Sequence, residues 1–215
     1  MTRIKICGLT EEEAFDTVLE VAADYAGLVF YPPSPRHLEI EKAARLARRR
    51  QGPTKLVGLF VAPEVETVAA VLQAVPLEIL QIYGSASLVA TLRQRFGLPV
   101  WRQLGVAGAA DFPAADEEVD GFVVEAKPPA GASRPGGNGV VADWSLLATF
   151  SPSRPWLLAG GLNPGNVATA LQRVAAPGVD VSSGVEIAPG RKSPSLIRQF
   201  VASVRQQSAE SYSRP

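Results

Sequence analysis

A chain of 215 residues suits one domain and is long enough for an α/β barrel to close as a single unit. Its 21 basic and 21 acidic residues cancel to a formal charge of +0, which leaves no basic field to hold nucleic acid or an anionic membrane, so a small-molecule partner is expected. One cysteine excludes an internal disulfide, and neither a charged-then-apolar leader nor an apolar run of about 18 residues is present, so the reading is a soluble cytoplasmic protein.

Short apolar runs recur along the chain, and each predicts a strand. IKIC (4–7) comes first and is followed by EEEAFDTVLEVAA (11–23), where apolar residues return at helical spacing. YAGLVF (25–30) leads into the proline-rich stretch YPPSPRHL (31–38). KLVGLF (55–60) precedes the helical pattern PEVETVAAVLQAV (63–75). EILQIY (78–83), PVWRQL (99–104) and GFVVEA (121–126) are the next three runs, and a long Gly/Pro stretch (127–144) after the last of them reads as a lid or as disorder. PWLLAG (155–160), the helical NPGNVATALQRVA (163–175) and GVDVSS (178–183) complete the series. The polar residues 207–215 read as a frayed tail.

Strands rich in Val, Ile and Leu on both faces, each followed by a helical segment, imply parallel pairing, because a parallel neighbour needs a long crossover. Eight such units predict a single-domain (β/α)8 TIM barrel over residues 1–206. An open doubly wound sheet could use the same alternation. The usual reasons for one are missing: no G-x-G-x-x-G follows the first strand, and no G-x-x-x-x-G-K-[ST] occurs.

Barrel enzymes build their sites at the carboxyl ends of the strands. Side chains alternate along a strand, so Lys5 and Cys7 should face inward while Ile4 and Ile6 face the helices. Val123 and Glu125 share one face of strand 6, and Asp180 and Ser182 share one face of strand 8. Cys7, Glu125 and Asp180 should therefore converge at the mouth, with Lys5 one layer below. Taken alone, a strand cysteine is equally a small buried hydrophobe, and Glu125 is equally an ion-pair partner of Lys5 or Lys127.

AGGLNPGNV (159–167) and SSGVE (182–186) follow the last two strands, where barrels often bind phosphate. Gly160, Gly161 and Gly184, with Ser182 and Ser183, can present backbone N–H groups to an anion, although glycines there also permit tight turns. Arg36, in the stiff loop after strand 2, suits a carboxylate or an aromatic face; a surface arginine on a turn is the alternative. The one histidine, His37, is given no catalytic role.

Together KICG (5–8), FYPPSPR (30–36), VGLF (57–60), GGNGVVADW (136–144), AGGLNPGNV (159–167) and DVSSGVE (180–186) resemble, in order and spacing, the motifs of the phosphoribosylanthranilate isomerases of tryptophan biosynthesis. The resemblance runs from Lys5 to about Lys192. It implies an Amadori rearrangement of N-(5-phosphoribosyl)anthranilate to 1-(2-carboxyphenylamino)-1-deoxyribulose 5-phosphate, with no metal or other cofactor, in a monomer or homodimer. It makes Cys7 the general base, binds the anthranilate end at Arg36 and the phosphate at the last two loops. The family's general acid is an aspartate in an LLD motif, which aligns with VVEA (123–126), so the role falls on Glu125. Its QLHG motif is QIYG (81–84) here, so Tyr83 stands for a histidine. Three other readings follow from the same residues. The related isomerase of histidine biosynthesis uses aspartates at the ends of strands 1 and 5, where this chain has Cys7 and Gln103 or its neighbours. Indole-glycerol-phosphate synthase relies on lysines and a longer chain, and a catalytically silent phosphosugar-binding barrel is the reading from outside enzymes.

Overall fold

The structure is a computed structural model that describes residues 1–114, 117–126 and 144–212. Eight parallel strands close into a barrel in sequential order, β1 pairing with β8. They are β1 (Arg3–Cys7), β2 (Tyr25–Val29), β3 (Lys55–Val61), β4 (Ile79–Tyr83), β5 (Val100–Val106), β6 (Gly121–Ala126), β7 (Trp156–Leu158) and β8 (Gly178–Val181). The helices are α1 (Glu12–Glu20), α2 (Ile40–Arg48), α3 (Val65–Ala74), α4 (Ala86–Phe96), α5 (Trp144–Leu147), α6 (Val167–Arg173) and α7 (Pro194–Tyr212). A small antiparallel hairpin, β9 (Glu186–Ala188) with β10 (Arg191–Lys192), lies between β8 and α7. Closure pairs every barrel strand on both sides and removes the exposed edges of an open sheet.

The predicted alternation sorts the side chains. Ile4 and Ile6 join the outer core with Phe15, Val18 and Phe200 from the helices. Burying such a side chain contributes about 1.5–3 kcal/mol each, so this shell carries most of the apolar stabilisation. Inside the barrel, Val57, Ile79, Trp101, Val123 and Leu157 fill one layer, with the Trp101 ring edge-on to Tyr25 at 4.9 Å between centroids. Nearer the mouth, Cys7, Val29 and Leu59 form a second apolar group, with Tyr31, Val61 and Tyr83 packed on it. The barrel is thus filled, and chemistry is confined to its rim.

Three local expectations are corrected. Between β5 and β6 the described residues form only a short 3-10 turn, Ala109–Asp111, because Gly108 and Pro113 interrupt the stretch. β7 stops at Leu158, two residues early, as Gly160 and Gly161 turn away with φ of 85° and 65°. At the other end α7 continues through Tyr212 rather than fraying from residue 207. Gln207 is buried and accepts from Gln172 on α6, and Ser208 donates to Thr2 at 2.8 Å. No helix among the described residues is long and apolar enough to cross a membrane.

Candidate active site

Lys5 and Asp180 are Cα partners in the β1–β8 ladder, so their inward side chains meet. Lys5 Nζ donates to Asp180 Oδ1 at 2.9 Å, with Lys5 0% and Asp180 8% exposed. The pairing that sequence left open between Lys5 and Glu125 thus goes to Asp180, while Lys127 lies outside the described residues. Burial works to lower the Lys5 pKa, but the negative charges of Asp180 and of a Cys7 thiolate outweigh it and hold it above its ordinary value.

Cys7 sits at the end of β1, 3% exposed, on Val29 and Leu59. Burial is the largest influence on its thiol and pushes the pKa up; Lys5 pulls it down, and Asp180 opposes Lys5. The sum is a thiol above its ordinary value. Lys5 does favour the thiolate, as its position suggests, but its charge is already shared with Asp180.

Two glycines give this corner its shape. Gly27 is the Cα partner of Cys7 on β2, and a Cβ there would lie 2.8 Å from Cys7 Sγ, so glycine keeps that flank of the sulfur open. Gly8 has φ 77°, and a Cβ on it would meet Arg36 Cδ at 2.5 Å. It therefore turns the chain off β1 and lets the Arg36 stem lie across the turn.

The proline-rich loop places Arg36 through a local hydrogen bond: the Arg36 N–H donates to Ser34 Oγ at 3.2 Å, across the fixed φ of Pro35. Arg36 is not a surface arginine, being 6% exposed. Its Nε and Nη2 donate to both oxygens of Glu186, at 2.7 and 2.8 Å. Lys192 Nζ donates to the same Glu186 at 2.7 Å, to the Ser182 carbonyl at 2.9 Å and to Ser182 Oγ at 3.2 Å. Two cations thus share one carboxylate, leaving net positive charge in a buried setting. Burial raises the Glu186 carboxyl, yet Arg36 and Lys192 outweigh it and hold it below its usual range. Burial also brings Lys192 down to about 8. Glu186 and Lys192 are residues that sequence reasoning missed, although Glu186 ends the DVSSGVE motif. The hairpin carrying them is braced on the loop between β1 and α1 and on the proline-rich loop. Thr10 Oγ1 donates to the Gly190 carbonyl at 2.7 Å, and Gly190 packs on Pro35. His37 lies beside this loop and contacts Glu39 at 3.3 Å.

Across the barrel, Glu125 is 8% exposed near the end of β6. Tyr83, the last residue of β4, donates its hydroxyl to Glu125 Oε1 at 3.0 Å. One layer below, Gln81 Nε2 donates to Gln103 Oε1 at 2.7 Å, both buried. Burial pushes the Tyr83 phenol well above its ordinary value, and the charges of Glu125 and Cys7 push the same way.

The loops after β7 and β8 lie against each other: a Cβ on Gly184 would overlap the Leu162 carbonyl oxygen. The first loop is held by Asn166, which donates to the Gly161 carbonyl at 2.9 Å and accepts from the Asn163 N–H at 2.8 Å. Neither asparagine was assigned a part from sequence. Ser183 and Gly184 form the 3-10 turn Ser183–Val185. The Ser182 hydroxyl donates to the Cys7 carbonyl at 3.0 Å and receives Lys192, tying β8 to β1.

A closed parallel barrel whose rim gathers a thiol, carboxylates and paired buried cations defines a (β/α)8-barrel enzyme of the acid–base type. Residues 4–203 match the family described as N-(5'phosphoribosyl)anthranilate (PRA) isomerase. Among similar relatives, N-(5'-phosphoribosyl)anthranilate isomerase of Acidiphilium cryptum is 50% identical, over 94% of this chain and 98% of its own. That of Granulibacter bethesdensis is 47% identical over 95% and 99%. Among solved structures, TrpF from Jonesia denitrificans superposes with a TM-score of 0.83 at 32% identity, covering 97% of this chain and 98% of that one. A phosphoribosyl anthranilate isomerase in complex with reduced 1-(o-carboxyphenylamino)-1-deoxyribulose 5-phosphate gives 0.81 at 32%, covering 96% and 100%. The chain belongs to the N-(5'-phosphoribosyl)anthranilate isomerase family and is an aldose–ketose isomerase.

Proposed function

We propose that this rim rearranges N-(5'-phosphoribosyl)anthranilate in tryptophan biosynthesis with Cys7 as general base and Glu125 as general acid. The observation that carries the assignment is that both side chains occupy the interior face at the ends of their strands, Cys7 on β1 and Glu125 on β6, around Tyr83, which packs beside the first and bonds the second. Glu125 gives its proton to the furanose ring oxygen as the C1'–O bond breaks and the nitrogen lone pair forms the Schiff base. Cys7 then takes the C2' proton, and the electrons of that C–H bond give the enolamine, which tautomerises to the ketone. Because burial holds the Cys7 thiol above its ordinary value, the base form is a minor species at neutral pH and grows as pH rises.

Arg36 and Lys192 supply the positive charge for the anthranilate carboxylate. Glu186 already occupies Arg36 Nε and Nη2, which leaves Nη1 for substrate and holds the fork still. Asp180, with Oδ1 on Lys5, offers its second oxygen to a ribose hydroxyl. The phosphate belongs at the amides of Gly160, Gly161, Ser183 and Gly184, with Ser182 contributing its backbone alone. These residues come from one chain, so either a monomer or a homodimer would serve; the Thermotoga maritima relative is described as dimeric. We place the enzyme in the cytoplasm, with the phosphosugar as its partner.

The purified protein should consume the fluorescent substrate with loss of its emission, without added metal or nucleotide. Binding of the phosphosugar with no turnover would instead make the chain a silent binding barrel.

A further inference from the structure

Two places where this chain departs from the family pattern touch each other. Glu125 stands where an aspartate is expected and Tyr83 where a histidine is expected, and the Tyr83 hydroxyl donates to Glu125 Oε1 at 3.0 Å. The strand between them makes this reach possible. On β5 the residue in register with Glu125 is Gly105, which has no side chain to stand in the way. Below, the Gln81–Gln103 bond joins β4 to β5 at the preceding inward positions. The Tyr83 ring also packs on the cluster that holds Cys7, so its position is set by the base side of the rim as well as by the acid side.

A glutamate has one more rotatable bond than an aspartate, and about 1 Å of misplacement at a reacting atom is costly. A hydroxyl fixed on Oε1 removes that freedom. It also acts in the chemistry. When Glu125 passes its proton to the ring oxygen, negative charge develops on the carboxylate, and a donor already aimed there stabilises it without reorganisation. Tyr83 keeps its own proton in this step, since burial and the neighbouring negative charges hold its phenol in the protonated form.

We propose that Tyr83 is a positioning residue that holds the longer acid Glu125 in its working rotamer and stabilises the carboxylate it becomes. The proposal rests on the reading of Glu125 as the general acid. Tyr83→Phe removes only the hydroxyl. It should lower kcat about ten-fold or more, leave KM within two-fold, and have no further effect in a Glu125→Gln background. Tyr83→His changes the donor and its reach; its loss of kcat should also vanish in that background, which gives a second test should the phenylalanine variant fold poorly. Wild-type kcat in Tyr83→Phe beside an inactive Glu125→Gln overturns the role of Tyr83 and leaves Glu125 as the acid. The same fold-loss in both backgrounds shows that Tyr83 acts independently of Glu125 and overturns the proposal. A fully active Glu125→Gln overturns the acid assignment itself, and the role of Tyr83 with it.

Discussion

The rim has two unlike halves. On the side of β1, β8 and the β9–β10 hairpin, charges are packed against one another: Lys5 with Asp180, Arg36 and Lys192 with Glu186, and Ser182 tied to the Cys7 carbonyl. On the side of β4, β5 and β6, the inward side chains include an uncharged donor on the acid, Tyr83 on Glu125, and one layer below it the Gln81–Gln103 amide pair. The difference follows from what each group must do. A thiolate needs nearby cations because burial opposes its charge, and here Lys5 lowers the Cys7 thiol without fully offsetting that burial, whereas a neutral phenol holds a carboxylate without changing its own charge.

The largest test of the comparison falls on the acid half. Glu125→Gln keeps shape and hydrogen bonding but cannot deliver a proton, so kcat should fall about 100-fold or more with KM little changed. Glu125→Asp should retain far more activity than the amide, although its shorter arm loses reach to Tyr83. Steady-state kinetics on the two variants would erase the distinction between the halves if the amide were as active as the wild type.

A smaller effect is expected from crowding the base half. Gly27→Ala puts a methyl group 2.8 Å from Cys7 Sγ, and the sulfur or the strand must move. Overpacking of this kind costs about 1–3 kcal/mol of stability. Since the displaced group is the proposed base, kcat should drop about ten-fold, with a lower thermal midpoint measured alongside.

The mildest effect is a pH dependence of substrate binding. With Lys192 at about 8, raising the pH through that value removes one positive charge and takes the Arg36–Glu186–Lys192 group from net positive to neutral. Attraction for the anthranilate carboxylate weakens, so KM should rise about three-fold or more between pH 7 and 9. Lys192→Met should start with the higher KM and lose that slope. A slope that persists in the variant would assign the titration to another group.

The barrel was legible because its signal is local: each apolar run reports its own strand, and alternation alone sends Ile4 and Ile6 outward and Lys5 and Cys7 inward. The ends of the elements were less so. β7 is cut short by two glycines with positive φ, and α7 runs on beyond its last apolar residues because Gln207 and Ser208 find polar partners on α6 and at the chain start. Cys7, Arg36, Glu125 and Asp180 could be placed at the rim as candidates because strand ends and rim loops are where barrels keep their chemistry. Some of their partners could not. Glu186 lies 150 residues from Arg36 and reaches it through a hairpin that its few polar residues do not announce, and the bond of the Ser182 hydroxyl to the Cys7 carbonyl joins residues 175 apart. The place of Lys5 one layer below Cys7 suggests a cation favouring the thiolate, but burial and Asp180 together leave the thiol above its ordinary value.

The division of labour between the halves rests on Cys7. Turnover of N-(5'-phosphoribosyl)anthranilate by Cys7→Ala, followed by the loss of its fluorescence, tests this most directly. Removing a general base usually costs about 100-fold or more, while the thiol contributes little to holding the substrate. The account predicts a loss of that size with KM within a few-fold of wild type; a variant keeping more than about a tenth of wild-type kcat would contradict it and leave Cys7 as a small buried side chain of the core.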